Sequence, residues 1–135
     1  MIRSSPVLPL IGGGATKFQP VFIEDMTAGL AELLKRSDTA SKTYEFGGPQ
    51  VYSFKELMKL LLTVLNRQRV LVPIPFALAE MQAGLLELLP NQPLTRDQVR
   101  LLKTDKIVSG MEPTLEELDV QPRPLKEFLA AFKDK

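Results

Sequence analysis

Apolar and polar positions change period several times along the chain, and each change marks an element. Val7-Leu8-Pro9-Leu10-Ile11 is a short apolar run stopped by Gly12-Gly13-Gly14, and its prolines allow an edge strand at best. A second extended run, Phe18 to Ile23, holds Pro20 inside it. From there the period is helical. Met26, Leu30, Leu33 and Leu34 share a face, Asp25 is placed to cap the helix or favour its first turn, and Lys35 and Arg36 sit in the last turn, where the helix dipole prefers cations. Thr43-Tyr44-Glu45-Phe46 reads as a four-residue strand closed by Gly47-Gly48-Pro49.

Ser53-Phe54-Lys55-Glu56 is a capping box, followed by Leu57, Met58, Leu61, Leu62 and Leu65 on one helical face. Arg69 to Val72 is a further strand candidate, closed by Pro73-Ile74-Pro75. Phe76 to Leu89 reads as a helix apolar nearly all round, stopped by Pro90. Such a helix is either deeply buried or covered by a partner. Thr95 to Gln98 and Thr114 to Glu117 are two more capping boxes. Pro124 suits the start of a last helix with Leu125, Phe128, Leu129 and Phe132 at i, i+3, i+4 and i+7. The front half alternates strand and helix; the back half is nearly all helical. This predicts an α/β, helix-rich protein with few short strands and five to six helices. It is expected to form a single domain of residues 1–135, with an α/β part (1–75) and a helical part (76–135).

Composition narrows the chemistry. A length of 135 residues is one domain's worth, with 44% hydrophobic and 24% charged residues, so the chain is globular by composition. Seventeen Lys and Arg against sixteen Asp and Glu give a net charge of +1, which argues for neither nucleic acid nor an anionic membrane surface as partner. With no cysteine and no histidine, disulfides, a Cys nucleophile, a Ser-His-Asp triad and an ordinary zinc site are excluded. No apolar stretch approaches the ~20 residues of a membrane span, and the first residues do not read as a signal peptide.

The candidate chemical motifs are weak. Gly12-Gly13-Gly14 is not followed by a helix, so it fails the dinucleotide fingerprint and reads as a turn. Tyr52 and Lys55 have the wrong spacing for a Tyr-Lys catalytic pair. Glu24-Asp25 and Glu116-Glu117 are neighbours that point about 100° apart on a helix, so they read as first-turn charges and not as a catalytic acid pair.

Taken in order, several segments are familiar together: Leu8 to Gly14, Thr16-Lys17-Phe18-Gln19-Pro20-Val21-Phe22-Ile23-Glu24-Asp25-Met26, Lys42 to Pro49, Leu71 to Phe76 and Pro93 to Val99. This order resembles the C-terminal part of atypical short-chain dehydrogenase/reductase proteins. Within them it is most similar to the NAD(P)-binding accessory subunit of respiratory complex I and its bacterial relatives, many labelled NAD-dependent epimerase/dehydratase. The resemblance implies the C-terminal lobe of a Rossmann-like fold without its nucleotide-binding half, from a cut-out piece or a truncated reading frame. It implies that Gln19, Pro20, Val21 and Phe22 line the cleft between lobes. Strand alternation would then set Pro20 and Phe22 on one face and Gln19 and Val21 on the other. It implies NAD or NADP for the full-length parent but no cofactor bound by this chain alone, no catalytic residue here and no metal. The implied partners are the missing half or a second copy, and complex I subunits. The implied setting is bacterial and cytoplasmic or peripheral at the inner membrane. The reading from another class is an assembly domain that docks on a membrane complex through the 76–89 helix.

Overall fold

The structure is a computed structural model that describes residues 6–87 and 94–133, the side chains of Phe132 and Lys133 excepted. The stop expected at Pro90, the end of the third helix at Leu88-Leu89 and the packing expected of Phe132 lie outside the described residues. The chain divides into two compact units that interleave in sequence, one from residues 1–18 and 52–106, the other from 19–51 and 107–135.

The first unit is built on two parallel strands, β1 (Val7–Ile11) and β4 (Val70–Ile74), in the register Val7↔Val70 to Ile11↔Ile74. Alternation along β1 buries Leu8 and Leu10 and turns Val7 and Pro9 outward, while Val70 and Val72 are exposed on β4. The Val70 N–H donates to the Pro6 carbonyl, so the even residues of β1 bond to β4 and Pro9 faces the other edge. Its missing N–H therefore costs this ladder nothing. Gly12-Gly13-Gly14 forms a tight turn in which all three φ values are positive, 62°, 69° and 73°, the conformation that calls for glycine. Two short strands, β2 (Lys17–Phe18) and β3 (Tyr52–Ser53), pair antiparallel.

The expected capping box at Ser53 forms in full. The Ser53 hydroxyl accepts the Glu56 N–H, and the Glu56 carboxylate accepts the Ser53 N–H, at the start of α2 (Phe54–Val64). The box at Thr95 does the same with Gln98 for α4 (Arg96–Leu101). The third helix, α3 (Phe76–Leu86), turns its small residues inward. Ala79 and Ala83 are buried with Ile11 and Val99, whereas Leu78, Met81 and Leu85 are exposed, Leu85 by 66%. The described outer face of this helix is therefore not buried within the chain.

In the second unit, α1 (Ile23–Lys35) packs on a core of Leu115 and Leu118, both essentially inaccessible. Gly29 lets them close on the helix, since a Cβ there would collide with the side chains of Leu115 and Phe46. Arg36 donates to the carbonyls of Glu117 and Leu118, both at 3.1 Å, and binds Asp119 at 2.6 Å. Two expectations are corrected here. Thr43 to Phe46 forms no strand and joins no ladder. The Glu45 N–H donates to the Pro113 carbonyl at 2.9 Å, and Pro113 has no N–H with which to answer. The box at Thr114 does not cap. Residues Glu116–Leu118 form one 3-10 turn whose N-terminal flank is Leu115, ended by Asp119 at φ 60°. The last helix, α5 (Leu125–Lys133), begins directly after Pro124 and buries Leu129.

Candidate functional site

The residues expected to line a cleft fall in the second unit, but not as a strand. The ladder ends at Phe18, and Gln19 to Phe22 is irregular, because Pro20 has no N–H to continue it. The expected alternation of faces is thus overturned: Pro20, Val21 and Phe22 all line one groove of about 760 Å3. Its other wall is Arg123, Pro124, Leu125, Glu127, Phe128 and Ala131. Gln19 does different work. Its amide donates to the Gly48 carbonyl at 2.7 Å and its carbonyl accepts the Val108 N–H at 3.0 Å, so it staples three loops. Gly48 is where that staple needs glycine: a Cβ there would overlap the Pro20 carbonyl oxygen and lie 3.0 Å from its carbon.

The groove is organised by an arginine that the sequence reading did not single out. Arg123 sits between Pro122 and Pro124. Its backbone N–H donates to Asp25 Oδ2 at 2.7 Å, its Nε to Asp25 Oδ1 at 2.8 Å and its Nη2 to Glu24 Oε2 at 3.0 Å. The guanidinium also lies over the Phe22 ring, 4.0 Å from its centroid. Phe128 packs on the same ring, with centroids 4.9 Å apart and planes at 53°. Asp25, expected to cap the helix or favour its first turn, does the second. Phe22 is the N-cap residue of α1, and Asp25 stands in the first turn, 6% exposed, with its carboxylate turned to Arg123. Burial pushes this carboxyl up, but the side-chain and backbone hydrogen bonds from Arg123 and its charge outweigh burial and hold it below the ordinary aspartate value. The bond to Asp25, then that to Glu24, raises Arg123. The signal in the sequence was the adjacent Glu24-Asp25 pair, which needs a cation, and a proline-stiffened Arg able to supply one.

Chemically the groove joins aromatic and proline surface to a few charges. Two aromatic rings and prolines form its floor. Its charges are Glu24, Asp25 and Glu127 against Arg123, and the arginine is already engaged by carboxylates. Such a rim disfavours a phosphate or other anion and suits a neutral or cationic apolar group. Tyr52 and Lys55 do not form a pair either: Tyr52 is buried at 8% exposure, while Lys55 is exposed on α2. Among the described residues no group of three acidic side chains is placed to hold a metal, and no helix is long and apolar enough to cross a membrane.

No family model matches the chain. Among curated proteins it is similar to the mitochondrial NADH dehydrogenase [ubiquinone] 1 alpha subcomplex subunit 9 of Arabidopsis thaliana, 35% identical over 97% of this chain and 35% of that protein. The Rattus norvegicus protein of the same name is 32% identical over 88% of this chain. The Neurospora crassa NADH-ubiquinone oxidoreductase 40 kDa subunit is 25% identical over 86%. The chain spans about a third of the length of these relatives. Among solved structures, the Citrobacter triphenylmethane reductase matches with a TM-score of 0.66 at 20% identity, over 94% of this chain and 45% of that one. A Staphylococcus aureus nucleoside-diphosphate-sugar epimerase matches at 0.59 and 24%, over 90% and 43%. The expected likeness to the C-terminal part of atypical short-chain dehydrogenase/reductase proteins is borne out, as is the α/β, helix-rich fold. These three curated relatives are named as mitochondrial, so the bacterial and cytoplasmic setting expected is not confirmed.

Proposed function

We propose that these 135 residues form the ligand- or partner-binding lobe of an atypical dehydrogenase/reductase-like protein and do not catalyse alone. One observation carries the reading: the groove beside Phe22, Phe128 and the Arg123–Asp25 pair is a built recognition surface without a nucleophile or a free acid–base pair. Its acidic rim suits no pyrophosphate. NAD or NADP therefore belongs to the parent, and complex I subunits are the proposed partners, at the periphery of the membrane that carries them. Within the lobe, Pro20, Val21 and Phe22 are the proposed contact residues and Gln19 holds them in place. Calorimetry with NADH and NADPH should give no micromolar binding. In native gels, the tagged chain should migrate with an NADH:ubiquinone oxidoreductase assembly, and less of it should do so as Phe22→Ala or Phe128→Ala. Tight NADH binding, or comigration indifferent to both variants, would overturn the reading.

The exposed face of α3 supports a second docking mode, pairing with another copy through Leu78, Met81 and Leu85. Light scattering should then report a dimer that Leu85→Glu dissociates. A monomer at ~100 μM that is unchanged by the substitution would discard this mode.

A further inference from the structure

The first unit holds a cavity of its own, about 380 Å3. Leu8, Ile11 and Ile74 of the two parallel strands form its floor. Met58, Ala79, Leu86 and Leu102 line it from the helical side. Among its described lining residues Gln82 and Gln98 are the two polar ones, both exposed, and none is charged. The space exists because α3 turns alanines toward the strands, where a larger side chain would fill it. Ala79 is 1% exposed and Ala83 is buried completely. Packed interiors keep few voids larger than a water molecule. This one opens to solvent past the exposed Gln82 and Gln98, and it has the volume of small-molecule sites. Gln98 spends its carbonyl oxygen on the Thr95 N–H of the capping box, which leaves its amide hydrogens to donate.

From this chemistry we infer that the cavity binds an uncharged apolar chain with an oxygen acceptor at one end. A fatty acid anion would lose water with no cation among the described lining residues to meet it, so a neutral alcohol or ester is favoured over a carboxylate. The inference is independent of the groove and of the function proposed for it.

The probe is N-phenyl-1-naphthylamine, an uncharged fluorophore, added to the full chain at pH 8. Its emission should rise with one saturable site. Decanol should displace it at a concentration at least tenfold lower than decanoate. Filling the space with Ala79→Leu should weaken probe binding at least tenfold, while Leu85→Glu on the outer face of the same helix and Phe22→Ala should leave it unchanged. The chain has no tryptophan. Leu86→Trp therefore places a single reporter on the cavity wall without relying on the folding of the filled variant, and a bromine-labelled decanol should quench it saturably. Equal displacement by decanoate, undiminished binding in a folded Ala79→Leu protein, or unquenched emission from the Leu86→Trp protein would each overturn the assignment.

Discussion

Replacing Gly48 by alanine tests the account of how the groove is held. Gly48 is tied to Gln19 through its carbonyl, and the space where a Cβ would stand is taken by the backbone of Pro20 and Val21. A methyl group there would stand 3.0 Å from the Pro20 carbonyl carbon and 3.7 Å from Val21 Cα. The C=O bond is ~1.23 Å long and points at the new methyl, so the oxygen falls about 1 Å inside any tolerable contact. Every atom met is backbone, so no side chain can rotate away. The chain must move instead, and with it the groove wall. Overpacking of this kind costs about 1–3 kcal/mol, and a backbone-on-backbone clash belongs at the top of that range. For a protein of this size, ~3 kcal/mol is a loss of roughly 10 °C in Tm. Two neighbours calibrate the argument. At Gly47 the nearest atoms the added methyl meets are side-chain atoms of Val108 and Gln19, so the backbone can stay in place and Gly47→Ala should cost about 1–2 kcal/mol, part of it from the strained Gln19 hydrogen bonds. At Gly13 nothing lies within 4 Å, and only the positive φ of 69° is strained, at about 1 kcal/mol. Urea and thermal unfolding followed by far-UV circular dichroism would rank the three. If Gly48→Ala proves no less stable than Gly13→Ala, the close approach of the two segments is not what the geometry says.

Leu115→Ala should destabilise by about 2–5 kcal/mol, as for a leucine with no exposed surface. Because that leucine blocks a Cβ at Gly29, Gly29→Ala should be tolerated better in its absence. A double-mutant cycle in urea that shows plain additivity would refute the contact. Gln19→Leu leaves the Gly48 carbonyl and the Val108 N–H without their partner and should cost about 1–3 kcal/mol by urea midpoint; a loss below about 0.5 kcal/mol would remove the staple from the argument. Asp25 is held below its ordinary pKa when folded. Its contribution should therefore be complete above the unfolded value of about 4 and lost as pH falls through the lowered folded value. The urea-midpoint gap between wild type and Asp25→Asn should accordingly be wide at pH 7 and close in acid; a gap independent of pH would refute the pairing with Arg123.

Local rules were legible because local chemistry carries them. The Ser53 and Thr95 boxes need only residues three apart, the glycine turn needs only positive φ, and the helical stripes need only period. The strand at Val70 and the start of the last helix at Pro124 followed from apolar runs and proline punctuation in the same way. The fold and its relatives were likewise within reach, since the order of short segments from Leu8 to Val99 was enough to point to the C-terminal part of atypical short-chain dehydrogenase/reductases.

What the chain could not announce depends on partners far away in sequence. Thr43 to Phe46 has strand composition, but a ladder needs an answering N–H, and tertiary structure set Pro113 opposite Glu45. Gln19 and Phe22 looked like equivalent cleft residues. Folding made one a staple to Gly48 and Val108 and the other the floor of the groove, a difference decided by which loops come within about 3 Å. Asp25 carried a legible charge at a helix start, but its partner lies 98 positions on, and only the folded second unit brings the Arg123 guanidinium to it. Hydrogen bonds and ring contacts act over a few ångströms of space, whatever the separation along the chain, so the elements were written locally and the site was not.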